Sequence, residues 1–325
     1  MNKGTVIFIS IFLVLTMLMP FTVFLFKEKN NDISIPSKKI DNMSFKVYFP
    51  NTKEVKTYTI EEYLFGVVAG EMNITFEEEA LKAQTIAAYS LALHRKAKRD
   101  KVPDKNIMNA DVTADSKVDQ AFLTKEQIKE KWGNNYEQYA KKLERIISLV
   151  KGEYLTYKGE IAQTVYHDTS SGKTETAENM WGSAIEYLTS VQSVGDILNP
   201  EYLTKVSVAK DEFVRLLSKN DVKISSDKLK SEIEIISRTE SGTVLSIKLG
   251  DKTLKGTKIR EIFNLRSANF DISITDDKVE FTVRGYGHGV GMSQYGANEM
   301  AKQGSSYDEI LKWYYKGCEI TDKPL

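Results

Sequence analysis

The chain has 325 residues, 45 of them basic and 45 acidic, so it is long enough for one large domain or two smaller ones and carries no net field favouring nucleic acid. Its one cysteine, Cys318, excludes an internal disulfide and a Cys-rich zinc site. With three histidines, His94, His167 and His288, a protein-only metal site would have to lean on carboxylates.

Thr5 to Phe26 is uncharged and mostly Ile, Leu, Phe, Val and Met, and about 20 such residues span a bilayer. Lys3 precedes it, and Lys27 and Lys29 follow. The stretch exceeds a usual signal core and shows no small-x-small cleavage site, so a retained transmembrane anchor over 1–26 is expected, with a cleaved signal peptide as the rival. The rest would then lie outside the cytoplasm, at the cell membrane. Residues 27–44 are polar, broken by Pro36, and read as a linker. The remaining 45–325 read as one extracytoplasmic domain.

Phe45 to Phe49 alternates like a strand, with Glu54 to Thr59 as its partner. Thr59-Ile60-Glu61-Glu62 is a capping box that starts a helix ending near Gly70. Thr75-Phe76-Glu77-Glu78 repeats the pattern and predicts a longer helix from Phe76 to Lys98, buried over Ala80 to Ala92. Helices are expected over 125–132 and 136–150, then a hairpin turning at Lys158-Gly159 and a strand from Tyr187 to Val194. Further on come helices near 211–218 and 257–263, and strands over 232–238, 243–249, 269–274 and 278–284. Two closing helices are expected near 293–303 and 306–316. The fold class is α+β, mixing helices with antiparallel sheets.

Three short constellations carry the chemistry. In Val67-Val68-Ala69-Gly70-Glu71-Met72, Glu71 is the only charge among apolar and small residues. A carboxyl held that way keeps its proton near neutrality, as a general acid must; the alternative is an exposed helix-terminal Glu. Val165-Tyr166-His167-Asp168-Thr169-Ser170-Ser171-Gly172-Lys173-Thr174-Glu175 packs donors behind a strand and suits a polyhydroxylated ligand, or else a well-bonded turn. Gly285-Tyr286-Gly287-His288-Gly289-Val290-Gly291 follows another strand, and Ser293 then opens a helix. Four glycines at that density imply close approach of backbone to something, or positive φ. A ligand-facing loop or a tight strand-to-helix corner with a packed histidine would each explain them. The spacing is neither a dinucleotide fingerprint nor a phosphate loop.

These pieces, in this order, resemble the stage II sporulation protein D family. The resemblance lies in Val68 to Met72, Ala83-Gln84-Thr85-Ile86-Ala87-Ala88, His167 to Glu175 with Trp181-Gly182, and Arg284 to Ala297. It implies a peptidoglycan lytic transglycosylase of sporulation engulfment, cutting between N-acetylmuramic acid and N-acetylglucosamine in strands stripped of stem peptides. The expected membrane is the septal, engulfing membrane of the mother cell. The implied partners are stage II sporulation proteins P and M, and no cofactor is implied. Glu71 falls on the family's catalytic glutamate. His167, Ser170, Ser171, Lys173, Tyr187, Tyr286, His288 and Gln294 are expected to bind glycan along a cleft.

The sequence departs from the family where relatives carry a basic residue and this chain has Tyr89 and Thr189. Residues 105–120 hold no His or Cys, so the zinc that some relatives bind there is not expected, nor any other metal. Two other readings remain. One is a non-catalytic glycan-binding enhancer of a cell-wall amidase. The other is a metallohydrolase using His167, Asp168 and His288, which lacks a helical His-x-x-x-His pair.

Overall fold

Phe45 and Val47 alternate with polar neighbours, and both are fully buried on one face of strand β1 (Ser44–Phe49). In the computed structural model, which describes residues 43–323, β1 pairs antiparallel with β2 (Glu54–Thr59), Ser44 opposite Thr59 and Phe49 opposite Glu54. The expected anchor and all but the last two residues of the expected linker lie outside the described residues, and Ser44 already belongs to the strand. Among the described residues no helix is long and apolar enough to cross a membrane.

Thr59 caps helix α1 (Ile60–Glu71) with the expected box: its hydroxyl accepts from Glu62 N, and the Glu62 carboxylate accepts from Thr59 N at 2.9 Å. The second expected box does not form. Thr75 bonds Asn73 instead, and helix α2 (Glu78–Lys101) starts two residues later than expected, with the Glu77 amide donating to Asn298 Oδ1 at 2.9 Å. A cap from a distant helix replaces the local one.

Helix α2 runs through the centre. Its Ala-rich middle is buried, and its polar groups serve neighbours: the Ser90 hydroxyl accepts from Leu155 N, and the Ala87 carbonyl accepts from the Thr164 hydroxyl. Around it sit the short β3 (Val112–Thr113), parallel to β1, and helices α3 (Lys125–Trp132) and α4 (Tyr136–Leu149). The hairpin β4 (Tyr154–Tyr157) and β5 (Glu160–Ile161) turns through Lys158 and Gly159, both at positive φ.

Strand β6 (Tyr166–His167) and helix α5 (Ala177–Trp181) follow. The strand expected from Tyr187 to Val194 is absent. Val191 N donates to the Thr174 hydroxyl rather than to a backbone carbonyl, so only an isolated bridge, Lys173 to Gln192, forms there.

Residues 203–284 build a second core. Strand β7 (Leu203–Ala209) leads to helix α6 (Lys210–Ser218), then β8 (Ile233–Arg238), β9 (Val244–Leu249), β10 (Lys252–Leu254), helix α7 (Gly256–Ile262), β11 (Phe270–Ile274) and β12 (Lys278–Arg284). Two antiparallel sheets, β10-β9-β8 and β11-β12-β7, enclose Phe213, Phe263, Phe270 and Phe281. The chain leaves and re-enters at one point, because Arg284 pairs with Leu203 and Gly285 N donates to Tyr202 O at 2.8 Å. Strand β13 (Met292–Ser293), helices α8 (Gln294–Lys302) and α9 (Tyr307–Tyr314), and β14 (Glu319–Thr321) complete the fold. The α+β class is as expected.

Candidate active site

Glu71 is the last residue of α1, half-buried. Gly66 and Gly70 stand four apart on that helix, and each faces the segment 121–123. A Cβ at Gly66 would lie 2.5 Å from the Phe122 ring, and one at Gly70 would lie 3.2 Å from Ala121 O. The bare helix face lets the segment close in, so Leu123 N reaches Gly66 O and Ala121 N donates to Glu71 Oε1. Burial pushes the Glu71 carboxyl up to about 7, against the lowering effects of the Ala121 amide and Lys131. The last turn of α1 has no basic residue of its own; Lys131 supplies one from α3, with Nζ 2.7 Å from Ala69 O.

A buried polar chain surrounds this end of α1. Gln120 donates to Tyr63 OH at 2.9 Å and accepts from Tyr166 OH at 2.6 Å. Burial holds the Tyr166 phenol well above its usual range, with the Glu71 charge adding to the effect, so it stays a donor. The nearby carboxylate Asp119 is committed elsewhere: Arg99 and Arg95 reach it at 2.7 and 3.2 Å, and Thr113 N donates to it.

The glycine run is zipped to the second constellation. All four glycines have positive φ: 72° at Gly285, 116° at Gly287, 81° at Gly289 and 74° at Gly291. A Cβ at Gly285 would sit 2.6 Å from Thr169 O, at Gly287 2.7 Å from His167 Cβ, and at Gly291 2.0 Å from Val165 O. Backbone bonds link Tyr286 with Thr169 in both directions and Glu175 N with Gly289 O. Close approach and positive φ both hold, and what the glycines approach is the chain's own segment 165–175.

That zipper brings His167 and His288 together, ring centroids 5.7 Å apart. His167 is buried and its Nδ1 faces Val290 O at 3.1 Å, so Nδ1 carries the proton and Nε2 is a bare buried acceptor with no partner. His288 is half-buried; its Nδ1 accepts from Val290 N at 3.1 Å, and its ring hydrogen-bonds the Tyr166 backbone. Burial, helped by the neighbouring His288 and by Arg260, lowers His167 to about 3, and burial with Arg260 lowers His288 to about 4, so both are neutral above pH 5.

Ser170, Ser171, Lys173 and His288 line one small cavity with Glu175, Met180 and residues of the 203–284 unit. Their side chains already have partners within the chain: Ser170 Oγ donates to Asp196, Ser171 Oγ to Ser241 O at 2.8 Å, and Lys173 pairs with Glu240. Tyr286 is 45% exposed, with the Arg266 guanidinium 4.4 Å from its ring centroid. Tyr187 and Gln294 are buried away from that cavity. Tyr187 OH accepts from Gln163 N at 2.7 Å, and Gln294 reaches Gln84. Glu71 does not line this cavity either. The two regions connect through Tyr166 and His167: the Tyr166 phenol bonds Gln120, whose neighbour Ala121 holds Glu71, and the His167 ring packs against His288.

Sequence reasoning passed over Asp196. It is fully buried, its carboxylate accepts from Ser170 N at 2.9 Å and from Ser293 Oγ at 2.7 Å, and burial raises it to about 6. It ties the second constellation to the start of α8. No motif marks it, since its neighbours Gly195 and Ile197 carry no pattern. Lys131 and Gln120 were missed too, and Tyr166 was read only as a member of the second constellation; they come to α1 only through tertiary contact. Tyr89, where relatives carry a basic residue, is buried against Phe45 and Tyr154, and Thr189 is exposed. Among the described residues no group of three or more His, Cys, Asp or Glu is placed to hold a metal ion.

The candidate site thus has two parts, a carboxyl of raised affinity for protons at the end of α1 and a glycine-zippered loop with paired histidines. The profile of a family described as "Stage II sporulation protein" matches residues 48–157. Stage II sporulation protein D of Bacillus subtilis (strain 168) is 37% identical over 284 residues, 87% of this chain and 80% of that protein. The Bacillus amyloliquefaciens protein of the same name is 37% identical over 291 residues, 88% of this chain and 81% of its own. A Bacillus subtilis protein named "Amidase enhancer" is 23% identical over 79% of this chain but only 40% of its own length. The chain belongs to the stage II sporulation protein D family.

Proposed function

We propose that the chain is a peptidoglycan lytic transglycosylase with Glu71 as its one acid–base group. The observation that supports this is the Glu71 carboxyl itself, raised to about 7 and fixed by the Ala121 amide. Near neutrality it is populated in both forms, so it can give a proton and take one back. Ordinary glycosidases need a second carboxylate as base or nucleophile. The nearby Asp119 cannot serve, being held by two arginines and a backbone amide. One group suffices for a lytic transglycosylase. Glu71 protonates the glycosidic oxygen, the bond from C1 to that oxygen breaks, and the Glu71 carboxylate takes the proton of the muramic acid C6 hydroxyl. That oxygen closes on C1, leaving a 1,6-anhydro end, and no water enters. His288, which lines the small cavity, and the exposed Tyr286 would meet sugar hydroxyls along the strand.

The test is digestion of denuded strands in heavy-oxygen water. Expected are 1,6-anhydro-muramic ends without label, and a loss of about 10²–10⁴-fold in rate for Glu71→Gln. Labelled reducing ends would mean hydrolysis, and full activity of the variant would remove Glu71 from the mechanism. Membrane anchoring by residues 1–26 and work beside stage II sporulation proteins P and M in the engulfing membrane belong to the same proposal. Fractionation of sporulating cells should leave the chain in the membrane pellet, and a soluble form starting near residue 28 would speak against the anchor.

A second reading, enhancement of an amidase, is favoured by the relative of that name and by the apolar setting of Tyr89. Failure to cut denuded strands, with stimulation of an added amidase, would decide for it.

A further inference from the structure

Trp181 ends α5 with 45% of its surface exposed. Lone exposed apolar side chains are ordinary on protein surfaces, so position has to separate this one from the rest. Its ring makes a T-shaped contact with His288, centroids 5.3 Å apart. The residue before it, Met180, and His288 both line the small cavity, whose other walls include Ser171, Lys173 and Asn269. The His288 ring lies 5.7 Å from that of His167, the neighbouring Tyr166 OH donates to Gln120 at 2.6 Å, and the next residue, Ala121, donates its amide to Glu71. Trp181, His288, the 166–167 strand and the 120–121 segment therefore lead stepwise from an open aromatic surface to the acid. The helix stops directly after the indole, where Gly182 turns to φ 79°, so the ring stands at the rim rather than over the core.

A pyranose presents C–H groups on a face and hydroxyls around its edge. A flat, rigid aromatic surface beside polar groups complements both at little conformational cost. We infer that Trp181 is the stacking platform of a sugar subsite neighbouring the one at Glu71, taking a hexosamine ring of the glycan strand. This rests on the glycan-cleaving reading above. Trp313 provides the contrast. It is 39% exposed, but its indole N–H donates to Gln192 O at 2.7 Å and Lys316 sits 4.3 Å from its ring centroid.

The experiment is co-sedimentation of the full-length chain, in mild detergent, with amidase-stripped peptidoglycan sacculi. Every variant carries Glu71→Gln so that the strands stay intact. Trp181→Ala should bind about tenfold more weakly, the usual size for loss of an aromatic anchor. Trp181→Tyr should stay within about threefold of the parent. Trp181→Leu, which keeps apolar bulk without a ring face, should remain weak, and Trp313→Ala should bind like the parent. Unchanged binding by Trp181→Ala, or full rescue by Leu, overturns the platform and leaves the glycan reading standing. A Glu71→Gln parent that does not sediment with sacculi brings down the glycan reading and this inference together.

Discussion

Glu71 ties reactivity to stability. Its carboxyl is raised from an ordinary 4.5 to about 7, so between those values the native state holds a proton that the unfolded chain releases. The neutral carboxyl's contribution is fully present below about pH 4.5 and is lost as the pH climbs towards 7. Glu71→Gln carries no such penalty. The variant should gain stability over the parent between pH 5 and pH 8, by up to about 3 kcal/mol. Paired urea melts at the two pH values measure this, and a difference that does not change with pH would contradict it. His167 and His288 act in the opposite sense: both are depressed, so their contribution is present above about 6.5 and falls away as the pH drops towards 4. Comparing variant with parent cancels the histidines, which titrate in both. The same burial that keeps the Glu71 carboxyl protonated towards neutrality therefore makes it a weak point above neutrality.

The glycine loop shows how much an element depends on what packs against it. At Gly291 an added methyl would meet Val165 O at 2.0 Å with φ at 74°, whereas Gly304, at φ 95°, has nothing within 4 Å. Gly291→Ala should cost at least about 3 kcal/mol and usually prevent folding, while Gly304→Ala should cost about 1–2 kcal/mol. Thermal melts of the two variants give the comparison, and equal losses would mean the zipper is looser than its geometry. The contrast also marks how far the sequence was legible. The positive φ of the glycine run, the Thr59 box and the strands 233–238, 244–249, 270–274 and 278–284 follow from local chemistry, and local chemistry is on the page of the sequence. The partner of the zipper, the Asn298 cap on α2 and the Asp196 clasp are tertiary, and no spacing announces them. Glu71 was legible as the one charge in an apolar run. Lys131 and Gln120, which surround it, were not, because they arrive from other elements.

At the scale of the molecule, the 203–284 unit has its own core and both of its ends at one point, Tyr202 and Gly285. Replacing it with a two-residue Asn-Gly turn should leave a remainder that still unfolds cooperatively, since α1 and α2 take no part in that core. Circular dichroism melts check this. Loss of a cooperative transition would show that the unit is structurally required. The shortened chain would keep Glu71 and lose one wall of the cavity, which Thr243, Asn269 and Arg284 supply. If the proposed function holds, binding to denuded glycan strands should fall while the Ala121 contact to Glu71 persists.

Asn298 caps α2 across 221 residues of chain, and the Tyr307 amide reaches back to Glu79 on the same helix. The start of the central helix is thus completed by residues 221 and 228 positions further along the chain. Contacts of such long sequence separation form late and slowly. A nascent or truncated chain that ends before Asn298 already contains Glu71 yet lacks the groups that finish its scaffold. The central helix against which α1 packs is therefore left with an unfinished N-terminus in any product that stops short of Asn298 and Tyr307.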